Sequence, residues 1–542
     1  MHIKVVKAGG YEYVRLVESY REDGEIKQRI VLNLGRKDHI EGNSSFMRLA
    51  ERLAEIAGGA KKGLSLEAIS EGVLKRYGFL PYRKLWKTFA LDSFFAKQQR
   101  ENPRLRIDLN DACFLMVVQH LLSPRSKLAT YERREQYLGI PEMDLNHLYR
   151  SLDLLADQKE DIESFVFAQN LSLFSMNVDV VFYDVTTFHF ESVKADGFKE
   201  FGFSKANKVN EVQVVMGLLV DGEGRPIGYE LFPGNTFDSK TLEMSLEKLS
   251  KRFHINRVVI VADRGINSKL NLKCIKDKGY DYIVASRLKR ASNKILEEVF
   301  NPEGYTTLAE GLLYKVLDHC NRVKENGETV ELAERLIVTH SAKRAAKDRA
   351  DRERLVEKAR RMVSSPASIK ASNKRGGKKF IVHKSEKDEY SLDESAIARD
   401  ERFDGYYAIQ VSNDLSPAQV LDAYHSLWRI EESFRIMKST LEVRPIFHWT
   451  EQRIKGHFVV CFLAFLLERT LELRLQANEI SVSPTEIQEA LHSLCFTETE
   501  INGQKYLLKM KPSPTASAIL RALRVAPPKT IMPLEEAADF AW

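Results

Sequence analysis

The spacing of apolar and polar residues divides the first third of the chain into two segments. Residues 1–40 alternate in the manner of strands around an EDGE turn, which predicts a small β unit over residues 1–43. From 44 to 175, apolar residues recur at helical spacing, as in NSSFMRLAERLAEIA and DACFLMVVQHLL. The pattern therefore predicts a β unit followed by a helical region.

A different order of elements follows over residues 176–287. VDVVFYDVTTFHFES and EVQVVMGLLVDGEGRPIGYELFPG contain three predicted strands, the last two joined by the DGEGRP turn. DSKTLEMSLEKLSKRF predicts a helix, NRVVIVADRG a buried strand, and the segments up to residue 287 another helix and strand. Three strands, helix, strand, helix, strand is the order of a ribonuclease-H-like α/β sheet with three antiparallel and then parallel strands.

This order of strands and helices is interrupted over residues 288–400, which contain short strand-like segments such as ERLIVTH and a long basic stretch. The core pattern resumes over 401–470, and residues 471–542 are predicted to form a C-terminal helical region. We therefore predict an α/β fold whose ribonuclease-H-like core is interrupted by a β-rich basic insertion.

Two aspartates stand in matched places of the predicted core. Asp184 lies inside the first buried strand, where an ionised carboxylate is costly unless it is paired, hydrogen-bonded or holding a metal ion. Asp263 ends the fourth strand, which lies beside the first in such a sheet, so both carboxylates are expected in one crevice. Two simpler interpretations stay open. Asp184 could cap a turn or pair with a Lys or Arg residue, and Asp263 could cap the RGINSKL helix.

A long helix is predicted to begin at Ser416 as N-cap and Pro417 at the first helical position. At 100° per residue, one stripe of this helix carries Tyr424, Glu431, Arg435 and Lys438. Arg429 and Glu432 point elsewhere. A carboxylate on the same stripe as Tyr and Lys can ligate a cation while its neighbours hold a phosphate, although a plain amphipathic helix has the same pattern.

Composition restricts the class of protein and the kinds of site that the chain can contain. The chain has 542 residues, 44% of them hydrophobic and 29% charged, as expected for several globular units. Its five Cys residues show no metal-ligand spacing, so neither a zinc site nor a disulfide framework is predicted. Because the start has no apolar signal core and the longest apolar run is too short for a bilayer, we expect a cytoplasmic protein without a membrane partner.

Positive charge is concentrated rather than general. The net charge is only +6, yet residues 341–380 hold 14 Lys and Arg against 4 Asp and Glu. Such a run is usually a solvated face, but one of this length can also hold phosphates. Arg125 and Lys127, near a helix start in LLSPRSKLATYERREQYLGI, fit either a DNA-binding helical module or a solvated basic face.

Residues 100–470 resemble the bacterial insertion-sequence DDE transposases, in particular the branch with a β-rich insertion in the catalytic domain and a tyrosine-arginine-glutamate-lysine signature. The anchors are YDVTTFHFES, the block from GFSKANKVNE to GNTFDSKT, VADRG, and YHSLWRIEESFRIMK followed by RPIFHW. The resemblance implies that the catalytic acids are Asp184, Asp263 and Glu431. Tyr424 and Lys438 match the signature, whereas Leu427 stands where the family has arginine, and Arg435 is the expected substitute.

The resemblance further implies two divalent cations, Mg²⁺ with Mn²⁺ as a possible substitute, held by these three acids. It implies a homodimer that synapses two terminal inverted repeats of double-stranded DNA, with strand cleavage, strand transfer and, in this branch, a hairpin intermediate. The residues predicted to contact DNA are Tyr424, Arg435, Lys438, Arg125, Lys127, Lys205 and Lys208. A metal-dependent nuclease or a domesticated recombinase without integration activity is the alternative, while the three acids argue against a DNA-binding protein without catalysis.

Overall fold

The structure of the chain, a computed structural model, describes most of the sequence. The described residues are 2–22, 25–41, 43, 45–46, 48–49, 74–102, 106–174, 180–190, 194–202, 211–236, 238–253, 258–325, 328–364, 376–384, 389–443, 446, 448–501, 504–537 and 540. The chain divides into two compact units. The helical unit comprises Met1–Ser175, Phe188–Val214 and Glu432–Trp542, and the sheet unit comprises Met176–Thr187 and Val215–Glu431.

The strands and helices of the described residues have the following bounds. The strands are β1 (His2–Ala8), β2 (Tyr11–Glu22), β3 (Glu25–Arg36), β4 (Leu74–Arg76), β5 (Val180–His189), β6 (Gln213–Asp221), β7 (Pro226–Pro233), β8 (Val259–Ala262), β9 (Asp281–Ala285), β10 (Thr306–Ala309), β11 (Leu312–Glu325), β12 (Glu328–Ser341), β13 (Ile381–Lys384), β14 (Glu389–Leu392), β15 (Tyr406–Val411), β16 (Cys495–Ile501), β17 (Gln504–Lys509) and β18 (Ile531–Pro533). The helices are α1 (Lys37–Ile40), α2 (Leu80–Thr88), α3 (Leu91–Glu101), α4 (Leu109–Leu122), α5 (Lys127–Arg133), α6 (Leu145–Asp157), α7 (Lys159–Phe174), α8 (Asp238–Phe253), α9 (Lys269–Asp277), α10 (Asn293–Phe300), α11 (Ala342–Val363), α12 (Glu394–Glu401), α13 (Pro417–His425), α14 (Trp428–Arg435), α15 (Glu451–Gln476), α16 (Pro484–His492) and α17 (Pro514–Ala522).

Nine strands form one large mixed sheet in the order β10-β11-β12-β15-β9-β8-β5-β6-β7. The strands that carry the two aspartates, β5 and β8, are direct neighbours and run parallel, and β8 is also parallel to β9. Every residue of β6 is buried, which explains its nearly continuous apolar sequence QVVMGLLVD. The chain therefore has the mixed α/β architecture predicted for its core.

The segment predicted as a β-rich insertion, residues 288–400, continues this sheet. β11 and β12 form a long hairpin, β12 pairs antiparallel with β15, and β15 pairs antiparallel with β9. Leu336 and Val338 of β12 share a hydrophobic cluster with Val299 of α10 and Ala408 of β15. Strands β10, β11 and β12 of this segment thus extend the nine-stranded sheet, and α10 packs against it.

The basic stretch that follows the hairpin forms the 22-residue helix α11. Arg352, on the buried side of this helix, is 6% exposed and forms an ion pair with Asp404. The helix is therefore attached to the sheet unit through a buried charge pair, while most of its other cations are exposed or half-buried.

The helical unit is built around α15, a 26-residue helix with 19 buried residues. It crosses α6 so closely that a Cβ atom on Gly456 would lie 1.9 Å from the carbonyl oxygen of Leu152. Only glycine permits this approach of two helix backbones. Within the described residues, no helix combines the length and apolarity needed to cross a bilayer.

The described residues also form three smaller sheets, one of which is the hairpin of β13 and β14. β1, β2 and β3 form an antiparallel sheet over the segment predicted as a small β unit. β18, β17, β16 and β4 form a second sheet, so residues 471–542 are not simply helical, and that part of the prediction was wrong. The alternation in TETEI, which is typical of a strand, is the signal that contradicts a helix there.

Candidate active site

Asp184 and Asp263 are brought together by the register of two parallel strands. The Cα partners are Val180 with Val259 and Phe182 with Val261. Asp184 lies two residues beyond Phe182 in β5, and Asp263 lies two residues beyond Val261, directly after the end of β8. Neighbouring strands lie about 5 Å apart, so the pairing leads to both aspartates at the same level of the sheet.

Each carboxylate is oriented by a backbone amide. The amide of Val185 donates to Asp184 Oδ1 (2.7 Å), and the amide of Gly265 donates to Asp263 Oδ1 (2.6 Å). A Cβ atom on Gly265 would lie 2.9 Å from the same Oδ1, so glycine lets the turn after β8 close on the carboxylate. Both aspartates are half-buried.

Neither aspartate acts as the cap considered in the simpler interpretations. Ser268 caps α9 by accepting a hydrogen bond from the amide of Asn271 (3.2 Å), so Asp263 is not the cap of that helix. Asp184 lies in the middle of β5 and does not cap a turn.

Tyr424 of α13 lies close to this pair. The hydroxyl of Tyr407, on β15, donates to the hydroxyl of Tyr424 (2.6 Å). Burial first of all, and then the Tyr407 hydrogen bond and the negative charge of Asp263, raise the pKa of Tyr424 above its ordinary value. Tyr424 therefore stays protonated at neutral pH and is within electrostatic reach of Asp263.

The helix predicted to carry Tyr424 and Glu431 together is broken between them. α13 ends at His425 and α14 begins at Trp428. The amide of Leu427 donates to the Tyr424 carbonyl (3.1 Å) and that of Ile430 to the Leu427 carbonyl (3.2 Å), so these hydrogen bonds span three residues. The prediction of one regular stripe was therefore wrong, because the tighter turn changes the angle between consecutive side chains.

The two neighbouring glutamates of α14 have different surroundings. Glu431 is exposed to solvent. Glu432 is half-buried and accepts a hydrogen bond from Arg469 (3.3 Å). Glu432 is thus engaged in an ion pair, whereas the side chain of Glu431 is exposed.

The two predicted cations that follow Glu431 differ in exposure. Arg435 is exposed at the end of α14. Lys438 is half-buried in a wide π-type turn, Ile436–Thr440, with its ammonium 5.6 Å from the ring centroid of Phe188. Turns of this type often occur at functional sites.

The remaining predicted DNA contacts fall into three groups. Arg125 is exposed. Lys127 is buried, 3% exposed, with its amine 3.3 Å from His120 Nε2, so its expected contact with DNA phosphates is incompatible with its position. Lys205 and Lys208 lie outside the described residues.

A basic cavity of about 620 Å³ lies next to Tyr407 in the sheet unit. Its cationic lining consists of Arg264, Arg287, Lys289, Arg290, Arg344, Arg352 and Lys379. Four aspartates also line the cavity. Asp348, Asp400 and Asp404 pair with the lining cations Arg344, Lys289, Lys379 and Arg352, and Asp351 pairs with Arg354, which is outside the lining. In the described part of the chain, Arg264, Arg287 and Arg290 have no carboxylate at ion-pair distance, so this wall of the cavity is net positive.

Sequence reasoning missed most of this cavity. Arg264 follows Asp263 directly in VADRG, which is a local signal that could have indicated it. Tyr407 and Arg287 carry no such signal, because they meet only through sheet pairing between β9, β15 and β12.

Comparisons with known proteins identify the family of this chain. A family model described as the transposase DDE domain matches residues 178–467, more than half of the chain, and one described as the IS1634 family transposase, N-terminal domain, matches residues 3–62. Among solved structures, a piggyBac transposase synaptic complex with hairpin DNA is 11% identical with a TM-score of 0.36, covering 71% of this chain and 70% of that chain. No curated protein matches the sequence significantly.

Proposed function

Because this chain belongs to the insertion-sequence DDE transposases, which are metal-dependent DNA phosphoryl-transfer enzymes, we propose that it cuts the terminal inverted repeats of its own element and joins them to target DNA. The proposal concerns the site, the DNA substrate and the order of steps. The parallel pairing of β5 and β8 is the observation that supports it most, since Asp184 lies on β5 and Asp263 directly follows β8.

In this proposal Asp184, Asp263 and Glu431 hold two Mg²⁺ ions, for which Mn²⁺ can substitute. The donor set fits, because carboxylate oxygens are the ligands that these hard cations prefer and backbone amides orient two of the carboxylates. When bound, the ions activate a water or a DNA 3′-OH and stabilise the departing oxygen. The exposure of Glu431 and the ion pair of Glu432 support the choice of glutamate.

Tyr424 contributes a hydrogen-bond donor beside the acids. Its raised pKa keeps the phenol protonated, so the hydroxyl can donate to a phosphate oxygen instead of repelling it. Tyr407 orients this hydroxyl and also contributes its ring to the cavity wall.

The basic cavity is proposed to hold the DNA backbone next to the acids. Arg264 and Arg287 offer guanidinium groups without a carboxylate partner, and such groups bind phosphates in a bidentate manner. Arg125 and Arg435, both exposed, are proposed as further phosphate contacts. We further propose that the protein acts as a homodimer on two element ends, with a hairpin formed when the first 3′-OH attacks the opposite strand.

The experiment that tests this proposal is a strand-resolved cleavage assay with Mg²⁺ on DNA that carries the element's own end. Asp184→Ala, Asp263→Ala and Glu431→Ala are each expected to reduce cleavage by at least about 10³-fold, because each removes a ligand of one metal pair. Binding of the same DNA in a gel-shift assay is expected to be largely unchanged.

A matched control is Asp277→Ala, an exposed carboxylate of the sheet unit that forms an ion pair with Lys273 (2.5 Å). It is expected to cleave like the unsubstituted protein. Full cleavage by any one of the three acid variants would remove that residue from the proposed site.

A further inference from the structure

Helix α11, the basic helix of the sheet unit, is attached to that unit along one side. Its two buried residues are Arg352 and Ala359. Arg352 pairs with Asp404, and the turn at Gly377 packs so closely that a Cβ atom there would lie 3.1 Å from the backbone nitrogen of Ala359. These contacts determine which side of α11 faces the sheet unit and which side faces solvent.

The side of α11 opposite to Arg352 and Ala359 carries charges of one sign. At 100° per residue, positions 343, 347, 350, 354, 358 and 361 fall within an arc of about 80°. All six positions are exposed, and the one that holds no cation is Ala350. The other five form what we call the cationic stripe: Lys343, Lys347, Arg354, Lys358 and Arg361. At 1.5 Å per residue, the stripe is about 27 Å long.

Most of this charge is not neutralised within the described part of the chain. Three members of the stripe have no carboxylate at ion-pair distance there: Lys343, Lys347 and Lys358. Arg354 pairs with Asp351, and Arg361 Nε lies 3.6 Å from a carboxylate oxygen of Glu357. Because exposed ion pairs are weak, both guanidinium groups can exchange their carboxylate for another anion.

The stripe is unfavourable for the helix alone. Like charges four residues apart on a helix repel each other, and Lys343 with Lys347 and Arg354 with Lys358 are such pairs. A helix face that is only solvated usually mixes both signs, as the neighbouring side of α11 does with Glu357. A bound anion that extends along the stripe would offset this repulsion.

The length of the stripe determines the kind of anion. Successive cations stand three, four or seven residues apart, which is about 4.5 to 10 Å along the helix. A single phosphate group can therefore contact only one or two of them. Duplex DNA carries one negative charge per about 1.7 Å of its axis, so a duplex lying along α11 presents phosphates to the whole stripe.

The side chains of α11 favour a duplex without a fixed sequence. Ala342–Val363 contains no Asn or Gln, the residues that read adenine in the major groove, and no Ser or Thr. Three of the five cations in the stripe are lysines, which act on phosphates as point charges. Contacts with phosphates carry no sequence information. The terminal repeats of an element have a fixed sequence, whereas a target duplex does not.

We propose that the cationic stripe of α11 binds the backbone of target DNA, the duplex to which the cleaved ends are joined. The identity of this duplex rests on the proposed function, whereas the binding of duplex DNA rests on the stripe itself. The surface is distinct from the basic cavity, to which α11 contributes other residues: Arg344, Asp348, Asp351, Arg352 and Leu355. The stripe is therefore expected to act in target capture and not in cleavage of the ends.

The first measurement is the binding of a random-sequence duplex without element ends to the full-length protein at several salt concentrations. The stripe variant is Lys343→Gln with Lys347→Gln and Lys358→Gln. We expect binding at least about 10-fold weaker at about 0.1 M salt, and a slope of log K against log salt that is smaller by about three units. Because these lysines are exposed and two of them repel each other, the Tm is expected to be unchanged or raised.

The matched control is Lys278→Gln with Lys294→Gln and Lys324→Gln. It removes the same charge from exposed lysines of the sheet unit that also have no carboxylate at ion-pair distance among the described residues. Binding of the random-sequence duplex and its salt dependence are expected to stay as in the unsubstituted protein.

The second measurement separates target capture from cleavage. Pre-cut element ends with a free 3′-OH are incubated with a plasmid target and Mg²⁺, and the strand-transfer products are quantified. The stripe variant is expected to form about 10-fold fewer products, in proportion to its weaker duplex binding. Uncut ends are expected to be cleaved at the rate of the unsubstituted protein.

Three results would overturn the proposal. The first is unchanged duplex binding and salt dependence in the stripe variant, and the second is an equal loss in the control variant, which would mean that general positive charge is responsible. The third is a loss of end binding and end cleavage as large as the loss of strand transfer, which would assign the stripe to the ends. Failure of the unsubstituted protein to cut its own ends would instead contradict the proposed function, and the comparison of random-duplex binding would still decide whether the stripe binds DNA.

Discussion

The hydroxyl of Tyr424 accepts a hydrogen bond from Tyr407, and the negative charge of Asp263 contributes to its raised pKa. Tyr424→Phe removes a donor beside the proposed metal ligands while keeping the ring. We expect cleavage of element-end DNA to slow by about 10-fold, the effect of one hydrogen bond to a charged group. The measurement is a single-turnover cleavage rate.

Tyr305→Phe is the matched control, since this hydroxyl of the sheet unit donates to the Val299 carbonyl (2.7 Å) and not to the site. It is expected to leave the rate unchanged. Because the pKa of Tyr424 is raised, its contribution is expected to persist to at least about pH 10, the ordinary pKa of tyrosine. An unchanged rate in Tyr424→Phe would remove Tyr424 from the site.

At the scale of single residues, the sequence predicts best where burial and charge conflict. Asp184 could be singled out because a carboxylate inside an apolar strand needs a partner. Lys127 could not be interpreted correctly, because nothing local distinguishes a surface lysine from one that packs beside His120 on another helix.

The element that carries Glu431 makes a prediction about DNA binding. Arg435→Ala and Lys438→Ala are each expected to weaken binding to end DNA and to reduce the slope of log K against log salt by about one unit. Arg429→Ala is the control, because this guanidinium lies 5.5 Å from the Trp428 ring centroid and is half-buried. Equal changes of slope in all three variants would contradict a specific contribution of Arg435 and Lys438.

Helix α15 makes a prediction about stability and pH. Glu468 is buried, and Tyr82 donates to its Oε2 (2.6 Å). Burial above all, and the charge of Glu472, raise the pKa of Glu468 to about 8. A raised pKa in the folded state means that stability is fully present below the unfolded value, about 4.3, and is lost as pH rises through 8.

We therefore expect the Tm to fall between about pH 5 and pH 8, and Glu468→Gln to flatten this dependence by keeping a neutral, similarly shaped side chain. Glu489→Gln, on the short helix α16, is the control and is expected to follow the unsubstituted protein. A slope that is unchanged by Glu468→Gln would show that Glu468 does not titrate in this range.

At the scale of elements, the sequence predicted the strands of the core more accurately than the extent of the helix that carries Tyr424 and Glu431. The period of two residues and the turn signals predicted β5 to β9, whose order then brings Asp184 and Asp263 together. The break between α13 and α14 could not be predicted, since the apolar period continues through Leu427 and only the hydrogen bonds change. The strands β16 and β17 were missed because they are short and because β16 pairs with β4, more than 400 residues earlier in the chain.

At the scale of the whole molecule, the position of the basic helix α11 decides how a role of residues 341–380 in holding DNA phosphates can be tested. Replacing residues 341–380 by a neutral linker would remove the buried Arg352–Asp404 pair and disturb the fold. The better change is the pair Arg287→Gln and Arg344→Gln in the cavity wall. It is expected to reduce cleavage of the second strand preferentially, because two strongly repelling phosphates must be held close together for that step.

The control for this double variant is Arg360→Gln with Arg361→Gln, which removes the same charge from exposed positions of α11 that pair with Glu357. It is expected to keep second-strand cleavage. If both double variants lose it equally, general positive charge and not the cavity would account for the effect.

The pairing order of the whole sheet explains why the sequence did not show how residues 288–400 join the rest of the sheet. The 288–400 segment was recognised as basic and partly β, but its junction with the core depends on β12 pairing with β15, across about 70 residues. Loop closure over such a distance leaves no periodic signal in the sequence. The cavity beside Asp263 is a product of this pairing, and it is therefore visible only in the folded chain.

The central claim is that Asp184, Asp263 and Glu431 hold metal ions in one site. Its most direct test is to replace Mg²⁺ by Fe²⁺ in the full-length protein, add ascorbate and peroxide, and map the sites at which hydroxyl radicals cut the backbone. We predict cuts near residues 184, 263 and 431 together, all suppressed by excess Mg²⁺ and by Asp184→Ala. Cuts near 184 and 263 without any near 431, or cuts that persist in Asp184→Ala, would contradict a shared site.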